Sequence, residues 1–401
     1  MPDNLRDLFL IRPDVAFLNH GSFGACPAPV FEEYQRWQRE LELQPVEFLG
    51  RRFASLMKEA RAPLAEYINA DADDIVYVTN ATVGVNIVAR SLKLGPGDEI
   101  LGTSHEYGAC ERAWRFLCGL SGATYRQAEI PVPVTTHEDL VERLFAQVSP
   151  ATRVLFISHI TSPTALTFPI AEICRRARAL GLITLVDGAH APGQVPLDLA
   201  AIDPDFYTGN LHKWLCAPKG AAFLYARRPL QEMLEPLVVS WGWDAVAPTS
   251  SRFIDYHEYQ GTSDPSPWLA VPAAIRFQQE HDWDDVRRRC HDIVRRARPL
   301  IADALGATFL SPDSDEWYAQ MSAFILPDDI DAFDLRERLY QEDLVEIPAF
   351  NWNGHQTMRI AIQGYNSWDD VERLLNGIRR IVGAREARGV MKTRARSLFE
   401  N

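Results

Sequence analysis

Short apolar segments rich in β-branched residues alternate along most of this chain with segments of helical periodicity. Examples of the apolar segments are Ile75–Val78, 154–158 and 183–186, and a helical pattern over 170–180 separates two of them. Apolar strands that alternate with helices predict a mostly parallel, doubly wound sheet, because the crossover helices cover both of its faces. We therefore expect an α/β fold with this sheet in a large domain.

The pattern changes after about residue 280, where an arginine-rich helix over 284–305 is followed by short strands near Phe324 and at 358–361 and by a helix over 368–382. This order indicates a second, smaller α+β domain. We predict four parts: an N-terminal arm (1–27) that packs with the small domain and the functional site, a large domain (28–280), a small domain (281–385) and a polar tail (386–401).

Composition excludes several classes of partner. The chain has 401 residues and a formal net charge of −13, so we expect no nucleic acid and no anionic membrane surface as a partner. No apolar run reaches the length of about 18 residues that a membrane span needs. The six cysteines form no C-x-x-C pair, so we predict no metal site. Scattered thiols and the lack of a secretory signal predict a cytoplasmic protein.

Two predicted strands end in side chains that suit one kind of chemistry. The strand over 183–186 ends on Asp187, and a strand near 205–207 leads to Lys213. A lysine amine can condense with the aldehyde of pyridoxal 5'-phosphate (PLP), and a carboxylate can keep the pyridine nitrogen protonated. An acid after one strand and a lysine after the next therefore predict a PLP site.

Several separated motifs carry a family resemblance. The chain reads D-G-A-H from Asp187, H-K at 212–213, F-L-N-H-G-S-F-G over 17–24 and M-R-I-A-I-Q-G-Y-N over 358–366. These motifs resemble the class V aminotransferase family of fold-type I PLP enzymes, and within it the isopenicillin N epimerase-like branch. The resemblance spans nearly the whole chain and implies the aspartate aminotransferase-like fold.

The resemblance assigns residues to the cofactor phosphate. Asn80 precedes a predicted helix whose first amides, those of Ala81 and Thr82, would bind the phosphate. Asn210 and His212 would bind it from the other side. Thr262 matches a position that typically reaches the phosphate of the other subunit, which implies a homodimer with shared active sites.

Other positions would hold the cofactor ring. The resemblance pairs Asp187 with the pyridine nitrogen and His190 with the phenolate oxygen, and attaches the cofactor to Lys213. Tyr107 or His105 would lie over the ring; we favour Tyr107, whose hydroxyl could also act as a general acid.

On the substrate side, Arg359 resembles the family arginine that binds the substrate α-carboxylate. Asn19 and His20 are expected to line the substrate side from the arm. Two departures from the family pattern are visible. Residues 346–355 contain no cysteine, which argues against persulfide transfer, and 161–163 read T-S-P where the family has a substrate-contacting asparagine.

The resemblance leaves the reaction open. Lys213 would remove the α-proton of an amino-acid substrate as general base. Epimerisation would then need a second acid, for which Tyr107 and His20 are the candidates. Expulsion of a β-substituent would give a carbon–sulfur lyase, and protonation at the imine carbon would give transamination. A non-catalytic PLP-binding module is the alternative outside enzymes.

Overall fold

The computed structural model describes residues 5–246, 248–249 and 251–399, with side chains up to residue 383. The first four residues of the predicted arm and the last two of the predicted tail lie outside these ranges. Within the described ranges the chain forms a seven-stranded sheet, a four-stranded sheet and a two-stranded parallel pair, with helices packed around them.

The large sheet has seven strands in the order β2-β8-β7-β6-β5-β3-β4. Five neighbouring strands, β7, β6, β5, β3 and β4, are parallel to one another. Strand β8 runs antiparallel to both of its neighbours, β7 and β2. The prediction of a mostly parallel sheet is therefore confirmed. Its strands are β2 (Ile75–Val78), β3 (Glu99–Thr103), β4 (Thr124–Ala128), β5 (Thr152–Ser158), β6 (Ile183–Asp187), β7 (Phe206–Asn210) and β8 (Ala222–Ala226).

The helices that precede, connect and follow these strands cover both faces of the sheet. They are α1 (His20–Phe23), α2 (Ala28–Leu43), α3 (Pro45–Glu47), α4 (Phe53–Tyr67), α5 (Ala81–Ser91), α6 (Gly108–Ser121), α7 (His137–Phe145), α8 (Ile170–Ala179), α9 (Leu199–Ile202), α10 (Arg252–Glu258), α11 (Ser266–Leu269) and α12 (Val271–Glu280). α2 ends at Leu43, and α3 begins at Pro45, because proline suits the first turn of a helix but not its interior.

Side-chain alternation along the strands builds a core on each face of the sheet. Leu185 belongs to one buried cluster and the next residue, Val186, to the other. Successive side chains of a strand point to opposite faces, so a strand buried on both sides is apolar throughout. This is why these strands could be predicted, whereas β4, with the sequence TYRQA at the sheet edge, could not.

The part of the chain that we predicted as a small domain combines strands and helices. Its four-stranded sheet has the order β12-β13-β10-β9, and a short parallel pair joins β1 to β11. Its elements are β1 (Ala16–Phe17), β9 (Thr308–Phe309), β10 (Met321–Ile325), β11 (Val345–Glu346), β12 (Ala349–Trp352), β13 (His355–Ala361), α13 (Trp283–Leu305), α14 (Ala332–Asp343) and α15 (Trp368–Phe399). The last helix runs on to Phe399, past the predicted end at residue 382, because alanine, arginine and lysine favour continuation.

The N-terminal arm joins the small domain to the segment around Lys213. Its strand β1 pairs with β11, and the carbonyl of Leu18 accepts a hydrogen bond of 2.8 Å from the amide of Ala361. Gly24 then packs so closely that a Cβ there would lie 2.0 Å from the carbonyl oxygen of His212. The φ of Gly24 is +71°, so this position requires glycine both for its conformation and for the space.

Along the described ranges, no helix is both long enough and apolar enough to cross a membrane.

Candidate active site

The carboxyl ends of the parallel strands surround one cavity of about 400 Å³. Ser158, Asp187 and Asn210 are the last residues of β5, β6 and β7, and all three line it. Ligands bind at this edge of open α/β sheets, because the strand ends and the helix N-termini meet there. We call this space the lysine cavity. Its other lining residues are Ser22, Phe23, Thr79, Asn80, Ala81, Thr82, Tyr107, Ile160, Ser162, Ala189, His190, His212, Lys213 and Gly220.

Lys213 and His190 face each other in this cavity. The Nζ atom of Lys213 lies 3.2 Å from Nε2 of His190, and Nδ1 of His190 accepts a hydrogen bond of 3.2 Å from the indole N–H of Trp214. An indole N–H can only donate, so Nδ1 carries no proton and the neutral imidazole has its proton on Nε2. The ring therefore presents a donor to the lysine side of the cavity. Trp214 fixes this tautomer, a role that the sequence motif does not reveal.

Burial and the nearby charge of Arg359 lower the pKa of Lys213 to about 8, against the opposing influence of Asp187. The N–H of His190 also favours the neutral form of Lys213. A neutral amine can accept a hydrogen bond from this N–H, whereas an ammonium group can only donate. Lys213 therefore reaches its neutral, nucleophilic form at a lower pH than an ordinary lysine, whose pKa is 10.5.

Asp187 is buried beneath the cavity and is held from two sides. One carboxylate oxygen accepts from the amide of Ala189 at 2.9 Å, and the thiol of Cys110 donates to the other at 3.5 Å. Burial raises the pKa of Asp187, although the Ala189 amide and Lys213 lower it in part. A carboxyl group held in this way can share a proton with a ring nitrogen placed beside it.

The expected phosphate end is formed where β2 meets α5. The side chain of Asn80 caps α5 by accepting from the amide of Val83 at 3.0 Å. The amide of Ala81 donates to Oδ1 of Asn210 at 2.8 Å, so the two residues expected at the phosphate are in direct contact. Thr82 lines the cavity at the same helix end. The amides of Ala81 and Val83 thus donate to side chains in this structure, and an anion at the helix end would meet the positive end of the helix dipole.

His212 lines the same end of the cavity. Its Nδ1 lies 3.2 Å from the carbonyl oxygen of Ala221. Burial and Lys213 lower the pKa of His212 to about 4, so its ring is neutral near pH 7. It can contribute a hydrogen bond to an anion there, but no charge.

Tyr107 and His105, the two candidates for the position over the cofactor ring, differ in placement. Tyr107 lines the cavity and is 46% exposed. His105 is fully buried, and its ring nitrogens lie 2.8 Å from Oγ1 of Thr164 and 2.8 Å from the carbonyl of Ile130. The geometry therefore supports Tyr107, because His105 has both nitrogens engaged away from the cavity.

A buried acid that the sequence analysis did not single out stands next to Tyr107. The two carboxylate oxygens of Glu106 accept from the hydroxyls of Thr103 and Ser158, each at 2.6 Å. Burial raises the pKa of Glu106 to about 8, so the group is mostly protonated near pH 7. Glu106 thereby ties the start of α6, where Tyr107 lies, to the end of β5. A lone glutamate in a loop carries no sequence signal for such a role.

Arg359 is buried and does not itself line the cavity, but it contacts a residue that does. Its guanidinium donates to the carbonyl of Ser162, and Nη1 lies 3.4 Å from the hydroxyl of the same serine. Ser162 in turn lines the cavity. Burial lowers the pKa of Arg359 to about 10, which leaves it charged near pH 7. The T-S-P departure from the family pattern thus places its serine against the arginine expected to bind substrate.

The arm residues occupy positions other than the ones predicted. His20 does not line the lysine cavity: its Nε2 lies 2.9 Å from the carbonyl of Lys213 and its Nδ1 lies 3.0 Å from the hydroxyl of Tyr365. Asn19 donates to Glu346 at 3.1 Å and is also outside the lining. The structure does not bring these two predicted side chains to the wall of the cavity, because their polar atoms hold the arm in place. The arm reaches the cavity through Ser22 and Phe23 instead.

The residues present fit the cofactor that the motifs predict. A nucleophilic amine, a buried acid and a helix N-terminus meet in one cavity, as the aldehyde, the ring nitrogen and the phosphate of PLP require. The Nε atom of Arg359 is buried without a partner in the described part of the protein, as expected beside the anionic group of a ligand. No cluster of metal-ligating side chains occurs among the residues with described side chains.

Comparison with known proteins shows the family. The family model described as aminotransferase class-V matches residues 26–374. The chain is 36% identical to isopenicillin N epimerase of Streptomyces clavuligerus, over 95% of this chain and 98% of that protein. It is 30% identical to a putative L-cysteine desulfhydrase 1 of Oryza sativa subsp. japonica, over 92% of this chain and 83% of the relative.

A likeness to solved structures confirms the fold. The apo cysteine desulfurase from Thermococcus onnurineus NA1 superposes with a TM-score of 0.81 at 19% identity, and the match covers 96% of this chain and 98% of that one. The predicted aspartate aminotransferase-like architecture is therefore correct. The family model and the relatives show that the chain is an enzyme of the class V aminotransferase family, whose cofactor is PLP.

Proposed function

We propose that this protein inverts the configuration at the α-carbon of an amino acid or of an amino-acid-derived substrate. The observation that carries the proposal is the identity of 36% to an isopenicillin N epimerase over nearly the full length of both chains. The geometry of the lysine cavity supports it, because the groups needed to take and return an α-proton lie on its walls.

When bound, PLP supplies a ring that stabilises negative charge at the α-carbon of a substrate amine. The side chains around it have separate tasks. Arg359 binds the α-carboxylate, Lys213 removes the α-proton as general base, and Asp187 keeps a proton at the ring nitrogen. His190 donates from Nε2, in the tautomer that Trp214 selects.

The second acid is assigned to Tyr107 by elimination. The titratable side chains that line the cavity are those of Tyr107, Asp187, His190, His212 and Lys213. Tyr107 is the one whose polar group has no task toward the cofactor or the first proton transfer, because only its aromatic ring is expected to lie over the cofactor. A hydroxyl there can return a proton to the α-carbon and complete the inversion.

A carbon–sulfur lyase is the second candidate, favoured by the 30% identity to a putative L-cysteine desulfhydrase. The same base would remove the α-proton, and Tyr107 would protonate the departing sulfur. Loop 346–355 contains no cysteine that could accept a persulfide sulfur, so β-elimination fits the chain better than persulfide transfer does.

The experiment is α-proton exchange in D₂O for a panel of L- and D-amino acids and short acidic peptides, with chiral and mass analysis of the products. Exchange with inversion and no keto acid is the expected result. Pyruvate with a released thiol would replace the proposal by the lyase. Cofactor absorbance without exchange for any compound would indicate the non-catalytic PLP-binding module.

The lowered pKa of Lys213 predicts how cofactor attachment depends on pH. Only the neutral amine attacks the aldehyde, so the attachment rate should rise to half its maximum near pH 8 and level off above it. Stopped-flow absorbance after adding PLP to cofactor-free enzyme measures this rate. Arg359→Gln is the comparison variant, because losing that positive charge should move the midpoint upward. A rate that keeps rising toward the ordinary lysine pKa of 10.5 would contradict the assignment.

The assembly and location are also part of the proposal: a cytoplasmic homodimer whose subunits share active sites. Thr262 is exposed and does not line the lysine cavity of its own chain, which is compatible with a role in the partner's site. Sedimentation velocity should give twice the mass of the chain. A monomer that loses no activity on dilution would contradict the shared site.

A further inference from the structure

A second cavity of about 610 Å³ adjoins the lysine cavity. Tyr107 and Ser162 line both spaces and so form the boundary between them. The far wall of the second cavity contains Phe350 and Trp352 from β12, and its near wall contains the first two turns of α6. We call this space the side cavity.

The position of Arg359 relates the side cavity to the proposed substrate. Its guanidinium donates to Ser162, which lies on the boundary between the two cavities. A substrate whose α-carboxylate is bound by Arg359 therefore has its α-carbon near that boundary. Its amine must point to Lys213 in the lysine cavity, which leaves the side cavity as the open space for a long side chain.

The side cavity carries an excess of positive charge. Arg112 and Arg115 on α6 are exposed at its rim. The guanidinium of Arg112 donates to the carbonyl of Gly108 at 2.9 Å and has no ion pair among the described side chains. Arg115 makes one long ion pair, 3.9 Å, with Glu111 and donates a hydrogen bond of 3.3 Å to the neutral side chain of Gln127.

The acids in the side cavity do not cancel this charge. Glu106 is mostly protonated near pH 7, since burial raises its pKa to about 8. Glu111 contributes one carboxyl group, which accepts from Gln127 and whose pKa is raised by burial. Two permanent guanidinium charges therefore face at most one carboxylate charge.

We propose that the side cavity binds the distal end of the substrate and selects amino acids whose side chain ends in a second carboxylate. The two guanidiniums recognise that carboxylate, and Phe350 and Trp352 contact the apolar part of the side chain. This inference rests on the proposed function, since it names the class of amino acid that this function acts on.

The test compares 2-amino dicarboxylic acids of increasing length with their neutral ω-amides, using kcat/KM for α-proton exchange in D₂O. The acid and the amide match in shape, so their ratio reports the charge alone. In Arg112→Ala and in Arg115→Ala this ratio should fall by about 5-fold, the value of an exposed ion pair, and by more in the double variant. Lys93→Ala, which removes an exposed charge that lines neither cavity, should leave the ratio unchanged.

Two results would overturn the inference. One is a ratio that stays the same in both arginine variants, and the other is an unmodified enzyme that prefers the amide at every length. Arg112→Lys distinguishes the loss of charge from a purely structural effect. It keeps the positive charge, so its ratio of kcat/KM for the acid to kcat/KM for the amide should stay close to that of the unmodified enzyme. If these dicarboxylic acids do not exchange while other amino acids do, only the side-cavity proposal fails. If no amino acid exchanges its α-proton, the proposed function itself fails.

Discussion

Replacing Lys213 by alanine is expected to abolish α-proton exchange, with a loss of about 10⁴-fold or more. The variant lacks both the amine that attaches the cofactor and the base that removes the α-proton. It should still bind PLP without a covalent bond, since the contacts from α5, Asp187 and His190 remain. Exchange measured by mass spectrometry and covalent attachment measured after borohydride reduction report the two roles separately.

Lys219→Ala is the matched control for this variant. Lys219 lies six positions further along the same segment, and burial lowers its pKa as well. Its Nζ donates to the carbonyl of Gly24 at 3.0 Å, and it does not line the lysine cavity. We expect this variant to exchange α-protons at nearly the rate of the unmodified enzyme. Retained exchange in Lys213→Ala would refute the assignment of the base.

Replacing Tyr107 by phenylalanine should separate inversion from exchange. The aromatic ring stays in the cavity wall, and only the hydroxyl is lost. Proton removal by Lys213 continues, so a substrate should still exchange its α-proton with retention of configuration. Inversion should slow by about 10²-fold or more, as expected for the loss of a general acid. Chiral analysis of the deuterated product measures both rates in one sample.

Tyr125→Phe is the control for the loss of a hydroxyl. Tyr125 is on β4, and its buried hydroxyl has no partner among the described residues, so removing it should leave both rates unchanged. Equal slowing of exchange and inversion in Tyr107→Phe would mean that the tyrosine only positions the cofactor. Inversion at the full rate would show that the second proton comes from elsewhere.

The elements of the large sheet were predictable from sequence because its central strands are buried on both faces. The apolar run over 154–158, in the central strand β5, follows directly from that burial. The edge strand Thr124–Ala128 has one neighbour and a largely polar sequence, so local pattern did not reveal it.

The candidate site was predictable where the motif and the chemistry coincide. Asp187 and Lys213 follow adjacent strands, and the parallel sheet necessarily brings those strand ends together. His20 shows the opposite case. It belongs to a recognisable motif, but its ring nitrogens contact Tyr365 and the carbonyl of Lys213, so it supports the site from behind. Neither partner is near His20 in sequence, and no local signal predicts such contacts.

The sequence by itself determined the fold class, the family and the acid and amine of the site, because these depend on local periodicity and on motifs with fixed spacing. Only the tertiary structure decided how those groups are tuned. The tautomer of His190 depends on Trp214, and the pKa of Lys213 depends on burial and on Arg359, which is distant in the chain. Hydrogen bonds and electrostatic shifts depend on distance in space, and that distance exists only once the two domains and the arm have packed together.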